Sequence, residues 1–203
     1  MARNLKAKCK ICRRLGESVC GTAKCALTRR NYAPGEHGLK RKSRLSQFGL
    51  QLREKQKAKA FYGILERQFE NYYTEASRKS GNTAEQLLQL LEGRLDNVVY
   101  RSGFGTTRRQ ARQLVAHGHV SVNGRKCNIP SRQVKVGDVI AMKDSMQKSK
   151  YTETLSTTFK MYEAPHWLQV DKTRYTAQVL SLPTAKDAEN SIAVNMIVEF
   201  YSR

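Results

Sequence analysis

Acidic residues are scarce in this chain. Only 17 Asp and Glu stand against 37 Lys and Arg, which leaves a net charge of +20. A compact protein with that imbalance repels itself unless a polyanion neutralises it. Nucleic acid is the expected partner, since basic side chains that neutralise phosphates release condensed counterions; an anionic membrane surface is the other candidate. No apolar run approaches the ~20 residues that a spanning helix requires. The first residues, MARNLKAKCKICRR, have neither the apolar stretch nor the small-residue cleavage site of a secretory signal, and a cytoplasmic location is expected. Apolar residues make up only 39%, so any cores are small. Nucleotide-binding glycine loops are missing as well: Gly103-Phe104-Gly105 lacks a third glycine and reads as a turn between helices. The histidines (His37, His117, His119 and His166) have no Cys or Ser at a recognisable catalytic spacing. These absences argue against an enzyme.

The charge that is present is unevenly spread. Residues 1–60 hold 17 basic and three acidic side chains, a local net of +14, whereas the other 143 residues hold 20 and 14, a net of +6. A very basic amino-terminal third therefore joins a more ordinary globular remainder. Five cysteines without a signal fit a reducing compartment, where clustered thiols bind metal more often than they form disulfides.

Hydrophobic periodicity gives an α+β chain, with helices before a small sheet. Residues 1–45 read as an irregular basic extension held together by metal or a partner. Residues 46–80 read as helix capped by Ser46 and interrupted at Gly63, with Leu65, Phe69, Tyr72, Tyr73 and Ala76 as a core stripe. Thr83 with Gln86 and Thr107 with Gln110 are two capping boxes, and Gly118 stops the second helix. From His119 the period changes to two. Asn123-Gly124 is a strong hairpin-turn signal, with the return strand running from Arg125 to Ile129 and short strands around Val134 to Ala141. Residues 145–158 read as a loop and Phe159 to Pro183 as further sheet anchored by Trp167 and Leu168. The segment Asn195 to Arg203 fits either helix or strand. The expected organisation is an extension over 1–45, a helical domain over 46–92 joined by 190–203, and a small RNA-binding domain over 93–189.

Two features carry chemistry. Cys9 and Cys12 form a C-x2-C pair, followed by Cys20 and Cys25 as C-x4-C. Two such pairs can converge tetrahedrally on one zinc ion, with an iron–sulfur cluster or unpaired redox thiols as the competing readings. Four protein ligands leave no open position, so such a zinc is structural. Lys8, Lys10, Arg13, Arg14 and Lys24 would favour the thiolates. Cys127 reads as a small buried apolar residue.

The second feature is an arginine-lined segment. On a helical wheel Arg108, Arg109 and Arg112 share an arc apart from Ala111, Leu114 and Val115, which gives three outward guanidiniums. Arg94 and Arg101 precede them with only Asp96 opposing, His117 and His119 flank the helix end, and Arg125 and Lys126 follow the turn. Guanidiniums bind phosphate bidentately or stack on bases, which suits folded RNA. A DNA-reading helix would carry Asn, Gln and Ser instead, so a zinc-containing DNA-binding regulator is the weaker reading.

Arg94-Leu95-Asp96-Asn97-Val98-Val99-Tyr100-Arg101, Thr107 to Val115 and His117 to Gly124 closely resemble the RNA-binding module named after small-subunit ribosomal protein S-four, here about residues 94–157. Tyr32-Ala33-Pro34-Gly35-Glu36-His37-Gly38, Leu52 to Lys57, Tyr62-Gly63, Glu66 to Phe69 and Val198 to Arg203 resemble the ribosomal family itself. The resemblance implies a primary assembly protein that binds the five-way junction in the 5′ domain of 16S ribosomal RNA and nucleates its folding. It also implies a place near the region where messenger RNA enters, a part in translational accuracy, and contacts with ribosomal proteins S-five and S-three. Some members repress their own operon, and some carry four amino-terminal cysteines as zinc ligands. The residues expected to meet RNA are Arg13, Arg14, Arg29, Arg30, Lys40, Arg41, Lys42 and Arg44 in the extension. Arg53, Lys55, Lys57, Lys59 and Arg67 follow in the helices, then Arg94, Arg101, Arg108, Arg109, Arg112, His117, His119, Arg125 and Lys126 in the module.

Overall fold

A computed structural model describes residues 7–40, 44–147, 149–160, 162–184, 187 and 192–202, without the side chains of 8, 156–158 and 160. Arg41 and Lys42 lie outside the described residues. The chain divides into two compact units, residues 1–87 with 189–203, and residues 88–188.

The first unit is helical. Helix α1 (Lys8–Leu15) ends at Gly16, whose left-handed φ of 77° lets the chain turn out of the helix. Helix α2 (Gln47–Tyr62) starts where Ser46 Oγ accepts from the Gly49 amide at 3.2 Å and stops at Gly63. Its buried side is unusual in chemistry: Gln51, Lys55, Ala58 and Tyr62 recur at helical spacing, so two of the four are polar. Lys55 and the amide nitrogen of Gln51 have partners, whereas buried Gln51 Oε1 has none among the described residues. Gln51 Nε2 donates to Glu199 at 2.8 Å, and Lys55 Nζ reaches Glu66 at 2.5 Å while lying 4.4 Å over the Phe200 ring. Helix α3 (Glu66–Arg78) buries Phe69, Tyr72 and Ala76. The carboxyl-terminal segment resolves to helix α9 (Val194–Tyr201), which packs on α2 and stacks Tyr201 on Tyr73 at 4.7 Å.

Helix α4 (Thr83–Glu92) is capped differently from expectation. Asn82 Oδ1 accepts from the Ala84 amide at 3.0 Å, and Gln86 Nε2 turns back to the Ser80 carbonyl at 2.5 Å. Asn82 therefore stands at the cap position, one residue ahead of Thr83, which is the first residue of the helix.

In the second unit, α5 (Leu95–Arg101) and α6 (Arg108–Ala116) pack as a pair. Thr107 caps α6 as expected, accepting from the Gln110 amide at 3.3 Å. A five-stranded sheet follows, formed by β1 (Val120–Val122), β2 (Arg125–Lys126), β3 (Val139–Met142), β4 (Leu168–Asp171) and β5 (Thr176–Val179). Its order is β2-β1-β3-β5-β4, with every pairing antiparallel. The β1–β2 turn is Asn123-Gly124, both at positive φ (51° and 76°), as a tight right-twisted hairpin requires. The helix pair covers one sheet face: Leu95, Val98, Val99, Ala111, Leu114 and Val115 share a core with Val120, Ile140, Met142, Trp167 and Val179. Val134 and Val136 do not build a strand; only Arg94 and Gln133 form an isolated bridge there.

The segment read as a loop is instead helical, with α7 (Asp144–Gln147) and α8 (Lys150–Lys160), so the stretch read as sheet from Phe159 begins within a helix. Leu155 and Phe159 enter the core from α8, and buried Thr152 satisfies its hydroxyl on the Met146 carbonyl at 2.6 Å. Two tyrosines from this region fasten the α5–α6 turn. Tyr151 donates its hydroxyl to the Phe104 carbonyl at 2.6 Å, and Tyr162 to the Arg101 carbonyl at 3.0 Å. Burial of Tyr151 pushes its phenol up to about 12, so it remains a donor across the physiological range. Gly103 at this turn has φ +78°, and a Cβ there would lie 2.7 Å from Tyr162.

Candidate metal site and nucleic-acid interface

Cysteine convergence begins with α1. One helical turn separates Cys9 from Cys12, so both thiols share a side of the helix. The turn after Gly16 then returns Cys20 and Cys25 to it. The sulfurs of Cys9, Cys20 and Cys25 lie within 4.8 Å of one another, and the Cys12 thiol interacts with those of Cys20 and Cys25. Three of the four predicted ligands form one group and the fourth, Cys12, touches two of them; Cys12 and Cys25 are buried, and Cys9 and Cys20 half-buried. Burial pushes Cys12 up to about 12, against a hydrogen bond from the Val19 backbone. Burial also opposes ionisation at Cys20, but bonds from the Thr22 hydroxyl and amide, Cys25 and Ser18 outweigh it and draw that thiol down to about 6. The Thr22 hydroxyl lies 3.0 Å from the sulfur. Soft donors in a closed cluster with one acidified member can hold a metal ion.

The knuckle is tied to its own unit by basic side chains. Arg13 donates to the Tyr32 and Ala33 carbonyls at 3.0 and 3.2 Å and lies 4.7 Å over the Tyr32 ring. Arg53 donates to the Leu15 carbonyl, and Lys57 pairs with Glu17 at 2.7 Å.

These bonds sort the cations expected to meet RNA. Arg14, Arg29, Arg30, Lys40, Arg44 and Arg67 are exposed and have no side-chain partner among the described residues. Lys55 and Lys57 are instead buried, because each answers a carboxylate inside the unit, and Lys59 shares Glu66 with Lys55. Partial burial opposes the charge on Glu66, yet bonds from Lys55, Lys59 and Tyr201 overcome it and hold the carboxyl near 2.

In the second unit, Arg94 is fully buried, with Nε and Nη2 on the two Asp96 oxygens at 3.0 and 2.7 Å. It is a framework residue and not a surface ligand. The outward fan expected of α6 is also redrawn. Arg112 Nη1 reaches Asp96 at 2.8 Å, while Arg108 Nε reaches Asn97 at 2.9 Å with its guanidinium 4.3 Å over the Tyr100 ring. Nor is Asp96 the sole opposing acid. Buried Glu92 accepts from Arg101 Nε and Nη2, both at 3.0 Å. Arg109, His117, Arg125 and Lys126 are exposed, and His119 is half-buried. The end of α6 and the hairpin come together: the His117 and His119 rings are 6.0 Å apart, and the Lys126 stem passes directly over Gly118. Glu92, Asn97 and Tyr100 are the organising residues that sequence reasoning missed. Glu92 and Arg101 stand nine residues apart across the Gly93 break, a spacing with no helical meaning.

Comparison with known proteins agrees with both units. A family described as ribosomal protein S4/S9 N-terminal domain matches residues 3–92, and the S4 domain matches residues 93–140. Small ribosomal subunit protein uS4 of Acetivibrio thermocellus is 50% identical over 209 aligned positions that cover the whole of both chains. The proteins of the same description from Acidobacterium capsulatum and, as uS4A, from Alkaliphilus oremlandii are each 50% identical with the same full coverage. The chain belongs to the bacterial uS4 family of small ribosomal subunit proteins.

Proposed function

We propose that this chain binds the five-way junction in the 5′ domain of 16S ribosomal RNA and nucleates folding of that domain, as a cytoplasmic, non-catalytic component of the small ribosomal subunit. The observation that carries the reading is the assembled surface at the end of α6, where the His117 and His119 rings and the Lys126 ammonium meet beside an S4-domain helix pair. The exposed arginines of the extension supply a second phosphate-binding region. A place where messenger RNA enters, contacts with ribosomal proteins S-five and S-three, a part in accuracy and repression of its own operon follow from the family resemblance and belong to the same reading.

The four cysteines hold one structural zinc ion in this proposal. Thiolates at both pair spacings suit zinc, and the closed set leaves no position for a substrate. The ion would supply cross-linking that a basic segment poor in apolar residues lacks. Metal analysis should return about one zinc per chain; a chain without zinc, or one with the visible absorbance of an iron–sulfur cluster, would overturn this part.

The RNA reading is tested by competition between a 5′-domain transcript and duplex DNA at matched salt. The transcript should win, and Arg109→Ala with Lys126→Ala should lower the salt slope by about 2. Equal affinity for the duplex, or an unchanged slope, would sink it.

A further inference from the structure

Two buried carboxylates anchor arginines of the helix pair that is read as binding a polyanion. Asp96 is 5% exposed. Its Oδ1 accepts from Arg94, and its Oδ2 accepts from both Arg94 and Arg112. Glu92 is fully buried and accepts from Arg101 and from Asn97 Nδ2, the latter at 2.6 Å. Asn97 passes the constraint on by accepting from Arg108. Four guanidiniums thus face two carboxylates, and the cluster keeps an excess of two positive charges.

An acid here should weaken RNA binding if charge alone mattered. The geometry points to another role: we propose that Asp96 is a positioning residue for RNA recognition, resting on the reading that this face binds RNA. It clamps Nη1 of Arg112 beside the fully buried Arg94. That leaves Arg112 Nε and Nη2, which have no partner among the described residues, in a fixed orientation on a side chain still 17% exposed. A free arginine loses its rotamer freedom on meeting a phosphate, whereas one already held has little left to lose. Glu92 extends the same arrangement to Arg108 through Asn97.

The test uses the full chain and a 5′-domain transcript. Asp96→Asn raises the net charge by one, yet should weaken binding about 3- to 10-fold, with Asp96→Glu recovering part of the loss. Asp96→Asn with Arg112→Gln should bind no worse than Arg112→Gln alone, since the acid acts through the arginine. A further measurement needs no variant: 15N relaxation at Arg112 Nε in the RNA-free protein should report a rigid side chain. Unchanged or tighter binding by folded Asp96→Asn, additive losses in the double variant, or a mobile Arg112 Nε would each overturn the proposal. Failure of the unmodified protein to bind the transcript would instead overturn the RNA reading beneath it.

Discussion

Burying Arg94 removes a guanidinium from water, a cost that its paired bonds to Asp96 help to offset. Truncation to Arg94→Ala should therefore lower stability by about 3–5 kcal/mol in chemical denaturation, because Asp96 loses both bonds to Arg94 and keeps the one to Arg112. Arg94→Met with Asp96→Leu, an apolar replacement of both partners, should recover much of that loss. Glu66 makes a prediction of the opposite sort, about pH. Its carboxyl is held near 2 in the folded chain against an ordinary 4.5. A depressed carboxyl stabilises the fold above the ordinary value, and that contribution is lost as pH falls from about 4.5 through about 2. The stability deficit of Glu66→Gln should accordingly be constant near neutrality and vanish at the acid end; a deficit independent of pH would refute the assignment. Neither residue's role was readable from composition. An arginine or glutamate in a basic chain looks like surface until its partner is known, and partner choice is a tertiary fact.

Helices differed in how plainly the sequence announced them. Helix α6 was legible because a threonine cap, a glycine stop and a separate apolar arc agree locally. The stripe that α2 buries was not, since Gln51 and Lys55 occupy core-facing positions and reverse the usual meaning of polarity. Helix α8 was hidden by its four threonines and one serine, although Tyr151, Leu155 and Phe159 recur every four residues; periodicity held the information and composition obscured it. At α4 the two candidate caps are adjacent. Asn82→Ala should cost about 1 kcal/mol and speed exchange of the Ala84 amide, whereas Thr83→Ala should be nearly neutral. Equal costs would mean that both residues cap.

Across the whole chain, the charge census located the basic third but not the chemistry within it. Of the cations in residues 1–60, Arg13, Arg53, Lys55 and Lys57 hold the unit together, while Arg14, Arg29, Arg30, Lys40 and Arg44 have no side-chain partner among the described residues. The thiol cluster was legible because its two short spacings are local. The arginine network was not, because it depends on how α5 and α6 pack. If zinc closes the cysteine knuckle, a strong chelator should abolish amide protection over residues 7–40 and leave protection of the sheet β1–β5 unchanged. Loss in both units at the same chelator concentration would contradict that independence.

The tyrosine fasteners of the α5–α6 turn bear on how the molecule is made. The carbonyls they grip lie 47 and 61 residues upstream. A ribosome synthesising this chain brings both helices out of its exit tunnel before it brings out either phenol. During that interval the paired helices stand with their connecting turn open, and only the arrival of Tyr162 completes the joint. The arginines of α5 and α6 thus reach solvent while the latch that supports their turn is still inside the tunnel.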